Sequence, residues 1–196
     1  MAKKTGRNTR GRIISAAWQL FYQQGYDNTT VEEIIEASGT SKGSFYHYFE
    51  GKDALLSSLS YLFDEKYEEL MDRIPEDMDR FDVLMLLNRE LFAMIENSIA
   101  LDLLARLYSS QLVTRGEKHL LDHNRIYYKL LRRIVSEGQQ RGELRADVTV
   151  NEVVRVYAMC ERALIYDWCL SEGSYSLMQY GRTMLPQFLD SFRVKT

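Results

Sequence analysis

The sequence predicts an all-α protein. Amphipathic stretches of helical period fill most of its 196 residues. Proline, the strongest helix breaker, occurs only at Pro75 and Pro186. Two capping-box patterns, Thr30 with Glu33 and Thr149 with Glu152, announce helix starts. About nine helices are expected in two parts. Residues 1–51 form a three-helix unit around a helix-turn-helix, with a basic arm in front. Residues 52–196 form a larger helical unit.

Residues 1–9 are basic and polar and are expected to lack fixed structure. They read either as a solvated tail or as an arm that follows a phosphate backbone or enters a minor groove. The first helix is expected over 10–24, with Ile13, Ala17, Leu20 and Phe21 on one buried face and Gly25 as its stop. Trp18 and Tyr22 lie off that face and are expected to meet the second unit. The next stretch, 29–56, reads as two short helices, a tight turn and the start of a third. Thr30 offers its hydroxyl to the N3 amide, and Glu33 reaches back to the cap. Ile34, Ile35 and Ala37 give this helix an apolar side. Gly39 can take φ > 0 at no steric cost and so ends it. Ser41 caps a helix over 42–48. Phe45 and Phe49, four apart, turn inward together. That leaves Lys42, Ser44, Tyr46 and His47 outward. Such a unit can lay its second helix in a DNA major groove.

A long helix is expected over 52–73, with Leu55, Leu56, Leu59, Leu62, Phe63 and Leu70 inward, as a rigid rod joining the two parts. The acidic run at 75–79 breaks it. Helices over 79–96 and 100–110 follow, then a loop around 113–116 and a helix over 117–141 ended by Gly142. The box at Thr149 opens a helix to about residue 170, stopped by Gly173. Ser174 or Ser176 caps a last helix reaching about residue 192.

The charge is uneven. The total is −3, yet residues 1–12 carry five cations and no acid, and residues 1–52 sum to +2 against −5 for the rest. A basic arm beside a helix-turn-helix supplies phosphate-neutralising charge. No apolar run approaches the ~18 residues of a membrane span, and the N-terminus lacks the apolar core of a signal peptide. Cys160 and Cys169 stand nine apart on one expected helix, roughly 13 Å, too far to bridge. A reduced, cytoplasmic chain is the plain expectation.

Residues 10–56 resemble the DNA-binding domain of the TetR/AcrR family of bacterial transcriptional regulators. The resemblance runs without a gap through Arg12-Ile13-Ile14, Ala16-Ala17, Leu20-Phe21, Gly25-Tyr26, Thr29-Thr30-Val31, Ile34, Ala37, Gly39, Ser41, Gly43, Tyr46, Tyr48-Phe49 and Lys52-Asp53-Ala54-Leu55. Two positions depart from the pattern: Thr40, where an apolar residue is usual, and Gly51, where serine or asparagine is common. The resemblance implies a one-component, ligand-responsive regulator, more often a repressor than an activator, and not an enzyme. It implies a homodimer on a pseudo-palindromic double-stranded operator. Lys42, Gly43, Ser44 and His47 are placed at or near base edges. Thr30, Tyr46 and Lys52 hold phosphates, with Arg7, Arg10 and Arg12 in support.

The resemblance also implies that the 52–196 unit binds a small-molecule effector and dimerises through its last two helices. Candidate seam residues are Met159, Ala163, Tyr166, Met184, Leu185, Phe188 and Phe192. Candidate effector residues are Met85, Phe92, Tyr108, His123, Tyr127, Tyr157, Glu161 and Trp168, with Met94 and His119 beside them; each is also a plain packing candidate. Glu161, on a mostly apolar helix, stands out as a partner for a cationic ligand or for an arginine. No cofactor and no membrane partner is expected. Two rival readings stand beside this one. His119 and His123, at i and i+4 with Asp122 between them, have metal-ligand spacing, so an all-α metal sensor or enzyme is one rival. A helix-turn-helix that docks protein instead of DNA is the other. No Gly-rich phosphate loop or nucleophile elbow supports catalysis.

Overall fold

The computed structural model describes the backbone of residues 2–113 and 118–194, with side chains from Thr9 onward. Arg7's side chain and the expected loop residues 114–116 lie outside the described residues. The described backbone holds ten α-helices and two 3₁₀ turns. Counted with 52–71 as one interrupted helix, this is the expected nine. The chain divides into two compact units, 1–61 and 62–196. The division falls ten residues later than the boundary expected at 51.

Unit 1 begins with α1 (Ala2–Gln24). The segment expected to lack structure is helical from Ala2: it holds no proline, and Ala, Lys and Arg are strong helix formers. α2 (Val31–Ser38) carries the predicted capping box: Glu33 N donates to Thr30 Oγ1 at 3.2 Å, and Thr30 N donates to Glu33 Oε2 at 2.7 Å. The Thr30 contacts hold the Glu33 carboxyl below its usual range. α3 (Lys42–Tyr48) is capped by Ser41, whose Oγ accepts from Ser44 N at 3.1 Å. The unit's core is Ile13, Ala17, Phe21, Tyr26, Ile34, Phe45, Phe49 and Leu55, all nearly or fully buried.

The expected rigid rod is broken. α4 (Lys52–Leu56) ends and α5 (Leu59–Met71) begins across Ser57 and Ser58. The serine run explains the break, because short hydroxyl side chains compete for helical carbonyls. Ser57 Oγ donates to Ala54 O at 2.7 Å, Ser58 Oγ to Leu55 O at 2.5 Å and Ser60 Oγ to Ser57 O at 2.6 Å. Ser58 Oγ also accepts from Trp18 Nε1 at 2.7 Å. Trp18 is thus a core residue of unit 1, set edge-on to Phe21. Tyr22, in contrast, is 52% exposed. Trp18→Phe keeps an aromatic ring but leaves Ser58 without its donor. We expect a loss of about 1–2 kcal/mol, read as a lower melting temperature with unchanged helicity.

Unit 2 holds most of α5, α6 (Arg80–Ser98), α7 (Leu101–Val113), α8 (Ile126–Gln140), α9 (Val150–Leu170) and α10 (Leu177–Leu189). The predicted capping box opens α9, and Ser176 caps α10. A helix from 117 is not formed. His119–Leu121 is a 3₁₀ turn, and α8 starts only at Ile126. α10 lies against α6 at Gly181. A Cβ built there would stand 2.5 Å from the Phe92 ring, so only glycine permits this approach.

Candidate nucleic-acid interface

α3 separates its residues by chemistry. Phe45 is fully buried and Phe49 nearly so, their ring centres 5.8 Å apart. Lys42, Gly43, Tyr46 and His47 are exposed and Ser44 is half-exposed. Lys42 pairs with Glu32 at 3.6 Å, but both side chains are about 70% exposed. Such a pair is weak and easily exchanged for another anion. Gly43 has no neighbour closer than Ser41 Oγ at 4.0 Å to a built Cβ, so its backbone is open to close approach. This bare, polar helix face is the feature that a groove reader requires.

Three of the cations expected on phosphates, Arg10, Arg12 and Lys52, make contacts within the unit. Arg12 Nη2 donates to the carbonyls of Ser38 and Gly39, the latter at 2.7 Å. It thereby caps the C-terminal end of α2, where carbonyls lack helical partners. The Arg10 guanidinium stacks over Phe49 at 5.6 Å and Tyr61 at 5.2 Å. Lys52 Nζ donates to Tyr26 O at 2.6 Å and Thr29 O at 2.8 Å and lies 4.2 Å from the Tyr26 ring centre. The Thr30 hydroxyl is held by Glu33. These four residues brace the helix-turn-helix; sequence spacing did not distinguish bracing from contact.

In unit 2 the expected effector residues scatter. Tyr127, Tyr157 and Glu161 come together in the core. Glu161 is 4% exposed. Its carboxylate accepts from Tyr127 Oη at 2.7 Å, Asn88 Nδ2 at 2.9 Å and Tyr67 Oη at 3.0 Å, with Tyr157 Oη at 3.4 Å. No arginine bonds it among the described residues. Burial pushes the Glu161 carboxyl above its ordinary range, opposed by the bonds from Asn88, Tyr127 and Tyr67. Burial and the adjacent carboxylate raise the Tyr67 and Tyr127 phenols. Beside the cluster Arg125 and Asp64 form a buried pair at 2.6 Å. The cavity there measures about 30 Å³, roughly one water's share of liquid volume.

Tyr108 lines that cavity and a larger, open groove of about 480 Å³ between α7, the 3₁₀ turn and α9. The other candidates serve elsewhere. Phe92 seats α10 at Gly181. Trp168 Nε1 donates to Tyr175 O at 2.8 Å and closes the end of α9. Met85 lines a separate cleft with Gly181 and Pro186. His123 is exposed, its ring 4.6 Å from Tyr128. Because His119 lies in a 3₁₀ turn and His123 beyond it, the two do not share a helical face, and no metal-binding group occurs among the described residues. Tyr67, Asn88, Asp64 and Arg125 escaped the sequence reading; their partners lie 61–94 residues away.

The candidate seam residues also divide. Leu185 is 1% exposed and belongs to the core, because it faces inward on α10. Met184 and Phe192 are half-buried. Met159, Ala163 and Tyr166 form an exposed stripe on α9, continued by Leu170, and Phe188 and Tyr180 stand out on α10.

Residues 13–59 match the model of bacterial regulatory proteins, tetR family. Over 98% of its length the chain is 27% identical to the HTH-type transcriptional regulator TtgR of Pseudomonas putida, covering 95% of that protein. It is 24% identical to the fatty acid metabolism regulator protein of Bacillus subtilis, over 89% of this chain and 90% of that one. Among solved structures, Thermus thermophilus FadR, a TetR-family repressor in complex with lauroyl-CoA, superposes with a TM-score of 0.75 at 24% identity, covering 95% of this chain and 96% of that one. No helix among the described residues is long and apolar enough to cross a membrane. The capped α2, the Gly39 turn, the bare face of α3 and the match over 13–59 converge: residues 13–59 are a tetR-family helix-turn-helix domain, in a chain similar over nearly its whole length to a helix-turn-helix transcriptional regulator.

Proposed function

We propose that the chain is a cytoplasmic repressor that holds a pseudo-palindromic operator as a homodimer and leaves it when a small organic effector enters unit 2. The observation that carries this reading is the face of α3. Lys42, Gly43, Ser44, Tyr46 and His47 project from a helix whose opposite side, Phe45 and Phe49, is sealed in the core. Lys42, Ser44 and His47 read base edges, and Tyr46 reaches a phosphate. Arg10, Arg12, Thr30 and Lys52 act by bracing; the third N–H of Lys52 and the Arg7 cation serve the phosphates.

Two symmetric half-sites call for two copies. The stripe of Met159, Ala163, Tyr166 and Leu170 on α9, with Tyr180 and Phe188 on α10, supports an apolar seam. Phe188, 48% exposed, tests it without disturbing the core. Phe188→Glu should weaken self-association by about 2 kcal/mol, roughly thirtyfold. Sedimentation of wild type at twice the chain mass, and of the variant nearer one chain mass with unchanged helicity, is the expected result. A wild-type monomer would remove the seam.

The effector reading draws support from the Thermus structure, which binds lauroyl-CoA. Its route to the DNA is α5, whose first turn belongs to unit 1 and whose remainder belongs to unit 2. Tyr61, on that first turn, stacks on Arg10. The break at Ser57–Ser58 lies within unit 1, so the route runs through α5 and not through one continuous helix over 52–73. A gel-shift titration on the selected operator, repeated with effector, tests the function: release by a ligand that binds unit 2 is expected, and tight binding indifferent to every such ligand would contradict the reading.

A further inference from the structure

We infer that the groove between α7, the 3₁₀ turn and α9 is the effector site, and that it takes an amphiphile with an anionic head and a linear apolar tail. This deepens the effector reading above and rests on it. The core cannot be the site as it stands: its cavity is about 30 Å³, and the Glu161 carboxylate that would greet a cation is already surrounded by Tyr67, Asn88, Tyr127 and Tyr157. The groove measures about 480 Å³, within the range of small-molecule sites.

Its walls are apolar. Leu112 and Leu121 are 73% and 48% exposed, and Met159 and Tyr166 are 53% and 45% exposed. Large side chains left this bare at one place lose the benefit of burial until something covers them. Among the described residues, the charged side chains that line the groove are Lys118 and Arg162. Arg162 Nη1 donates to Tyr128 Oη at 3.0 Å, a neutral partner, while its charge also acts on the neighbouring Glu161 carboxyl without a direct hydrogen bond. A guanidinium so placed fits a carboxylate or phosphate head, which it can bind with two parallel N–H bonds. Lys118 Nζ, which donates to the carbonyls of Gln111 and Leu112, adds positive charge of the same sign. Met159, Ala163 and Tyr166 belong both to this groove and to the proposed seam, so a second copy would close the open side over the tail.

The test is calorimetric titration of the full-length protein, without DNA, with decanoate, decyl phosphate and decyltrimethylammonium below their micelle concentrations. Both anions should bind at least tenfold more tightly than the cation. Arg162→Gln should weaken the anions about tenfold. Leu121→Trp, which fills the groove from the side the seam does not use, should weaken them at least tenfold; melting curves on both variants verify folding. Cation binding as tight as anion binding, no binding by either anion, or indifference to Leu121→Trp would overturn the inference. The operator assay separates the two readings. If another ligand releases the DNA while decanoate does not bind, this site is wrong and the function stands. If the anions fill the groove and the operator is still held, the site stands and the effector reading falls.

Discussion

Glu161→Leu should lower the stability of unit 2 by about 3–5 kcal/mol at neutral pH. The substitution removes the acceptor shared by Tyr67, Asn88 and Tyr127. Each buried donor left unpaired costs about 1–3 kcal/mol, partly offset because a charge no longer has to be buried. For a chain of this size that loss corresponds to a melting point lower by roughly 10 °C. The pH dependence has a definite sign. The folded-state pKa of Glu161 is raised. Its contribution is therefore fullest below the unfolded carboxyl value of about 4.5 and is lost as pH rises through the raised folded value. The melting difference between wild type and Glu161→Leu should shrink on going from pH 4 toward pH 7, while effects common to both proteins cancel. A difference that grows with pH over that window would show that the hydrogen bonds outweigh burial and that the carboxylate is the favoured form.

Arg12→Gln should weaken operator binding about tenfold and leave its salt dependence unchanged. Arg12 reaches the carbonyls of Ser38 and Gly39 across 26 and 27 residues of sequence and fixes the end of α2 against α1. A cation at a helix C-terminus is favoured by the helix dipole as well as by the hydrogen bonds. Loosening that end frees the turn and blurs the position of α3. A phosphate contact behaves differently: losing it lowers the slope of log K against log salt by about 0.9. The slope therefore separates a bracing arginine from a contacting one. Gly39 sits at φ 58°, and a Cβ there would stand 2.9 Å from Arg12 Nη2. Gly39→Ala should reproduce the Arg12→Gln defect and add about 1–2 kcal/mol of left-handed strain.

The helix-turn-helix was legible because its determinants are local. A capping box spans four residues, a glycine stop is one, and Phe45 with Phe49 is a single turn. Such features are visible in any window of sequence, and α2 and α3 fall where those signals place them. The break at Ser57–Ser58 was also written locally, as a serine run, but an uninterrupted apolar stripe masked it. The brace made by Arg10, Arg12 and Lys52 was not legible, because a cation looks the same whether it turns to solvent or to a carbonyl. Unit 2 fared worse for the same reason. Glu161 could be singled out as an acid on an apolar helix, but its partners come from α5, α6 and α8. Nothing in the spacing of Tyr67, Asn88 and Tyr127 says that they converge. Leu185 and Phe188 differ by three positions on one helix, yet one is core and the other is surface.

The most direct test of the central claim is selection of binding sites from a random duplex pool by the purified protein, followed by titration of the winner across a salt series. Convergence on two inverted half-sites, tight binding that falls steeply with salt, and loss of that binding in Tyr46→Ala with the dimer intact are the results this account predicts. A folded protein that enriches no sequence at any salt would contradict it.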